Sequence, residues 1–242
     1  MNKNVIFLTL FFALFAFTSC EEILFLDGEP KGGFVSKSFD EKDFNKIDIN
    51  NAFFVTVKYA PQYKVSVKGA QDDIDDLQIT VKNNKLSVEY DKRVNLKRIR
   101  RYKMEVEIET PDLIAINCSS ASNTEVFGFE NLEKLEVEVS GASKLTIDSK
   151  IKALSSGISG ASELILKKDV ETIDAQLSGA SKLEGFSAFS KFVFLELSGA
   201  SKAEVYATET LDVEASGASK VTYKGTPKIT EELSGGSKIS KD

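Results

Sequence analysis

The sequence predicts an all-β protein: a right-handed parallel β-helix with coils of about 18–21 residues, and an N-terminal β-strand region packed on or capping one end. Three observations carry that expectation. A Ser-Gly-Ala-Ser-Lys pentapeptide recurs through the second half at a period near twenty. Each copy lies between two short runs in which apolar and polar residues alternate. The steps between copies are too short to hold a crossover helix, so each run must pair with its own copy one coil away. The usual chirality of β-crossovers gives the right hand.

Residues 1–19 read as a signal peptide. Lys3 gives a positive start, and Val5 to Phe17 is an uncharged apolar run too short to span a bilayer. The run ends in Phe17-Thr18-Ser19-Cys20. Two small residues before a Cys resemble a bacterial lipobox, with Phe17 where Leu is commoner. The resemblance implies cleavage before Cys20 and lipid on its thiol; the plain alternative is an ordinary signal peptide. Glu21-Glu22 after that Cys resembles the export signal of Bacteroidetes lipoproteins. The expected location is therefore the outer membrane, on its surface or periplasmic face. Residues 20–33, ending in Gly and Pro, read as a lipidated tether.

Residues 34–118 form an N-terminal β-strand region. Val55-Thr56-Val57, Val65-Ser66-Val67, Leu86-Ser87-Val88 and Val106-Glu107-Ile108 alternate with period two, the mark of half-buried strands. Asn83-Asn84 suits a tight hairpin turn, because Asn tolerates positive φ. Ala70–Leu77 is the best helical candidate, and its four Asp weaken it.

Residues 119–242 are the repeat. Its corners hold Gly141, Gly160, Gly179, Gly199, Gly217 and Gly235, with Ser119–Asn123 as a degenerate first copy. Glycine reaches backbone angles that a Cβ forbids, so the chain can turn sharply there. Ala is expected inside the corner, and the two Ser are expected to bond backbone groups freed at the bend. The next residue is Lys144, Glu163, Lys182, Lys202, Lys220 and Lys238 in turn. Stacked like charges about 5 Å apart repel, so this row must face water. Glu163 is placed to pair with Lys144 or Lys182. The row reads either as a solubilising edge or as a cationic rail for an anionic glycan.

Composition narrows the chemistry. The 242 residues include no His, no Trp and two Cys, with 37 acidic and 31 basic side chains. Without His there is no Ser-His-Asp triad and no His-ligated metal. No cofactor is implied. The acidic balance argues against a nucleic-acid partner.

These features together resemble a known family, the putative autotransporter adhesin, head GIN domain. The resemblance spans about residues 34–238. It rests on Phe44–Ile49 onward, the Pro111-Asp112-Leu113 lead-in and the six corners. It implies a fold similar to pectin-lyase-like β-helices without their catalytic residues, and an adhesion role.

Two further clusters are read from the residues alone. Asp72, Asp73, Asp75 and Asp76 lack the Gly and the alternate spacing of a calcium loop, and read as a solvated turn. Lys92, Arg93, Lys97, Arg98, Arg100, Arg101 and Lys103 read as an exposed hairpin, with Arg98, Arg100 and Arg101 as candidates for an anionic ligand. Outward carboxylates Glu136, Glu138, Asp174, Glu196, Asp212 and Glu214 alternate with buried positions as a solvated face does. The expected function is a non-catalytic adhesion or ligand-interaction module with a glycan or a host or envelope protein as partner. The alternatives are a polysaccharide-active enzyme and a structural envelope component.

Overall fold

The computed structural model describes residues 25, 26, 28–91, 93 and 101–242. The expectations placed on residues 1–19, Cys20, Arg98 and Arg100 lie outside the described residues. Among the described residues no helix is long and apolar enough to cross a membrane.

The repeat winds into a parallel β-helix of about seven turns, as the period predicts. Two sheets share every corner. Sheet A holds the strands that enter a corner: β8 (Ala115–Cys118), β10 (Leu132–Val139), β12 (Ile151–Ile158), β14 (Val170–Leu177), the later parts of β15 (Lys182–Leu197) and β16 (Lys202–Ala215), and β18 (Lys228–Leu233). Sheet B holds those that leave it: β9 (Asn123–Phe127), β11 (Lys144–Asp148), β13 (Glu163–Leu166), the first parts of β15 and β16, β17 (Lys220–Gly225) and β19 (Lys238–Lys241). Each strand pairs in parallel with its copy one turn on. β15 and β16 continue through the variable turn, so each serves both sheets.

Pleating sends alternate residues inward, and parallel register stacks them in rows. One row of sheet A is Ile116, Val137, Ser156, Ala175, Leu195 and Val213. Another is Cys118, Val139, Ile158, Leu177, Leu197 and Ala215. All twelve side chains are buried. Burying a Val, Leu or Ile contributes about 1.5–3 kcal/mol, so the rows are the main source of stability. Cys118 is a free thiol in this core.

The N-terminal region differs in one respect from a separate cap. Its strands β2 (Lys46–Ile49), β3 (Phe54–Tyr59), β6 (Lys85–Tyr90) and β7 (Glu105–Thr110) are rungs of the same two sheets. β2 lies between β6 and β8 in sheet A, and β3 lies between β7 and β9 in sheet B. Stack order therefore departs from chain order: the first rung in sequence is the second in space. Only the antiparallel strands β1 (Phe34–Phe39), β4 (Lys64–Ala70) and β5 (Leu77–Lys82), with the short helix α1 (Gln71–Asp75), lie beyond these rungs. The β5–β6 hairpin turns at Asn83 and Asn84, both at positive φ (52° and 59°). At the far end the inner rows finish on Glu231 and Lys241, in register with Val213 and Tyr223.

Candidate functional site

The corners come first, because they set where every outward side chain stands. The six corner glycines have φ between 68° and 77°. At Gly179 a Cβ would stand 2.6 Å from the carbonyl oxygen of Gly160. That oxygen accepts the N–H of Ala180 at 2.8 Å, and the same bond joins Ala200 to Gly179 and Ala218 to Gly199. The corner backbones thus form a hydrogen-bonded ladder that leaves no room for a side chain. The alanines are not inside the corner as expected. Ala142, Ala161, Ala180, Ala200 and Ala218 are exposed, and the second serine of each copy is the inward residue. Ser162, Ser181, Ser201 and Ser219 are buried. The Oγ of Ser201 and that of Ser219 donate to the carbonyls of Ser198 and Ser216, at 2.7 and 2.8 Å. A small hydroxyl fits the bend because it meets the backbone's freed acceptors there.

Sheet B carries the lysine row on its outer face. Lys144, Glu163, Lys182, Lys202, Lys220 and Lys238 stand in one register line. Glu163 pairs with Lys144 at 2.8 Å, one of the two partners its position allows. Lys182 instead binds Glu184, two residues along its own strand. That hydrogen bond holds the Glu184 carboxyl below, and the Lys182 ammonium above, their ordinary ranges. Nearer the N-terminal end, Lys58 bridges Glu107 and Glu109. A glutamate line, Glu184 and Glu204, runs beside the lysines. Glu163 thus interrupts the row at one rung, and Lys202, Lys220 and Lys238 continue it on three successive rungs without an ion pair among the described residues.

Arg101 does not belong to an exposed basic cluster. It is buried, with Nη1 donating to Asp73 at 3.0 Å and to Asp76 at 2.8 Å. Its guanidinium lies 3.7 Å from the Tyr90 ring centroid. Asp73, expected in a solvated turn, is buried too and accepts the N–H of Tyr102. The acidic turn and Arg101 form one structural lock at the capped end, so the Arg101 side chain is turned away from solvent.

Sheet A presents a different outer face. Lys134 pairs with Glu136 at 2.6 Å, and Glu138 folds over Gly157. At the start of these strands the exposed Lys191 of β15 pairs with Glu171 of β14 at 2.9 Å; beyond it β14 and the later parts of β15 and β16 carry no cation. The outward residues there are Thr172, Asp174 and Gln176, then Phe192, Phe194 and Glu196, then Thr210, Asp212 and Glu214. None of these polar side chains makes a side-chain hydrogen bond or ion pair among the described residues. Phe192 and Phe194 are 38% and 42% exposed. Phe189, at the preceding turn, is 55% exposed and meets Tyr206 edge-on with centroids 4.5 Å apart. Beside the carboxylates runs an open groove of about 790 Å³, lined by Gln176, Glu196, Glu214, Ser178, Ser198 and Ser216 among others. Sequence reasoning placed the carboxylates on this face and missed the phenylalanines. The signal was present: Phe192–Leu197 reads FVFLEL, apolar at both parities of the strand.

The arrangement holds polar and aromatic groups in fixed rows, and it does not assemble a metal centre. Among the described residues no group of three or more Cys, Asp or Glu side chains is placed to hold a metal ion. The Cys118 thiol is pushed up to about 12 by burial, which disfavours the reactive thiolate. The fold and these surfaces define a β-helix protein whose distinguishing groups lie on rigid outer faces.

The chain belongs to the family described as putative auto-transporter adhesin, head GIN domain, whose profile matches residues 43–227. No curated protein matches it. Solved structures share its fold. A putative adhesin from Bacteroides fragilis superposes with a TM-score of 0.78 at 21% identity, covering 88% of this chain and 97% of its own. A putative adhesin from Parabacteroides merdae gives 0.70 at 15% identity, covering 89% and 98%. A Parabacteroides distasonis structure titled a putative lipid binding protein gives 0.68 at 16% identity, covering 88% and 98%.

Proposed function

We propose that this protein is an exported, lipid-anchored and non-catalytic binding module of the cell envelope, displayed as an adhesin. The observation that carries the reading is the outer face of sheet A. Its aromatic and hydrogen-bonding groups are held on a rigid in-register sheet and left without partners among the described residues. Family membership supports an adhesin-like role at or beyond the cell surface. The Phe17-Thr18-Ser19-Cys20 sequence supports anchoring through lipid on Cys20. The partner is a glycan or a protein of host or envelope, reached by direct contact and without a cofactor.

Cell fractionation and surface proteolysis test the location. Wild-type protein should sit in the outer-membrane fraction and be cut when protease is added to intact cells. Cys20→Ser should lose the membrane attachment. A protein that resists protease on intact cells and partitions as soluble in both forms would overturn the reading. Turnover of any polysaccharide by purified protein, abolished by one carboxylate substitution, would favour the enzyme instead.

A further inference from the structure

We propose that the outer face of sheet A around Phe192 and Phe194 binds an uncharged polysaccharide chain. The inference rests on the binding-module reading above and names its ligand class.

The phenylalanines are the starting point. A single exposed apolar side chain is ordinary on any protein surface. Three on one strand within six residues, at a site where alternation calls for polar groups, is a patch. Phe192 and Phe194 point the same way, about 6.6 Å apart along the strand. Neither ring is needed by the core, whose inner rows pass through Val193, Leu195 and Leu197.

Their neighbours identify the ligand. Phe192 lies between Thr172 and Thr210, and Phe194 lies between Asp174 and Asp212. Glu196, between Gln176 and Glu214, continues the line into the open groove. Each ring is thus bordered, one rung up and one rung down, by free hydrogen-bonding groups. A sugar ring has the complementary make-up. Its C–H face packs on an aromatic ring, and its hydroxyl rim donates to carboxylates and amide oxygens. Two rings in line followed by a polar groove suit consecutive sugars of one chain lying along β15.

Charge excludes the alternatives. Asp174, Glu196, Asp212 and Glu214 repel uronates, sulfates, phosphates and anionic lipid headgroups, and Lys191, the cation beside Phe192, is already paired with Glu171 at 2.9 Å. An acyl chain would need an enclosed apolar channel, and this face is open on both sides of the ring pair. A basic peptide meets the charge, but its hold would come from exposed carboxylates and would fall away with salt.

Affinity electrophoresis of the full, detergent-solubilised protein tests the proposal. Soluble glucan, mannan and arabinoxylan are the probes, with polygalacturonate and a polylysine peptide as charged counterparts. The expected result is retardation by at least one neutral polysaccharide, little changed between about 50 and 500 mM salt. The double variant F192A/F194A should weaken that binding by about tenfold or more, and F192Y/F194Y should restore it. Thermal melting of each variant checks that it folds as wild type does. Retardation by none of the neutral probes would overturn the proposal. So would equal binding by the folded F192A/F194A variant, or binding of polylysine alone with loss at high salt. If the protein instead captured a protein partner through another face, the ligand class would fall while the binding-module reading stood.

Discussion

Sheets A and B share corners, rungs and core, yet their outer faces carry different groups. On sheet B a lysine row runs beside a glutamate row, and Lys144, Lys182 and Lys58 each find a carboxylate. On sheet A, from β14 to β16, Lys191 pairs with Glu171 where the strands begin, and beyond it Asp174, Glu196, Asp212 and Glu214 stand beside two phenylalanines without an ion pair among the described residues. Repeating a structure does not force this difference. The corners require Gly and Ser at fixed places, and the inner rows require aliphatic residues. The outward positions are free to vary, so what they carry reflects use more than folding. On sheet B several of the lysines are held by carboxylates, whereas on sheet A the aromatic pair and the carboxylates around it are left for a partner.

The largest perturbation should erase the contrast. Gly179→Val forces a β-branched side chain to φ 77° and toward the Gly160 carbonyl. We expect a loss of more than about 3 kcal/mol in a denaturant melt, with both faces disrupted together. Cys118 supplies a second readout. Its buried thiol should resist alkylation in the wild type and react readily in the variant under native conditions. Retained wild-type stability would mean that the corner ladder does not hold the sheets together.

The next effect is confined to sheet A. F192A/F194A should cost about tenfold or more in glycan affinity, yet shift the melting midpoint little, since both rings are exposed. A large loss of stability would recast the rings as structural. Inside the same sheet, Ser156 occupies an aliphatic row, and its buried Oγ has no hydrogen-bond partner among the described residues. Removing an unsatisfied hydroxyl relieves its desolvation cost, so Ser156→Ala should stabilise by about 1 kcal/mol. Calorimetry that finds it destabilising would point to a partner for the hydroxyl.

The smallest effects belong to sheet B. Lys182→Ala should change stability by no more than about 0.5 kcal/mol and leave glycan binding intact, because a half-exposed ion pair contributes little. Acid should reveal the same pairs. Hydrogen bonds from Lys58 and Lys182 lower the carboxyls of Glu107 and Glu184. Their small stabilisation is complete above the ordinary carboxylate range and fades as pH falls through the lowered values. Melts between neutral pH and about pH 3 should show a loss that is reduced in Lys182→Ala. An unchanged acid profile in that variant would mean the pair does not form in solution.

Much of this was legible in the sequence, for identifiable reasons. Strand alternation and the twenty-residue period announce the coils because each is a local pattern. The Gly of each corner was readable from its own backbone needs. The fate of the corner alanines was not. Which of two small residues faces inward depends on hydrogen bonds across the bend, and serine wins them. The rung order at the N-terminal end was hidden as well. β2 pairs with β6 and β8, which lie 39 and 69 residues along the chain by register, and alternation does not say which strands meet. Arg101 and Asp73 were each noticed as members of charged clusters. Their union needed the fold, since 28 residues separate them. Phe192 and Phe194 broke the alternation in plain view but read as part of an apolar run.

Carboxyl footprinting of the full protein, with and without a neutral polysaccharide that retards it, tests the contrast most directly. Both faces carry exposed or half-exposed carboxylates, so each reports on itself. Protection should fall on Asp174, Glu196, Asp212 and Glu214 and spare Glu184 and Glu204. Protection of Glu184 and Glu204 instead, or of neither set, would contradict the assignment of sheet A as the binding face.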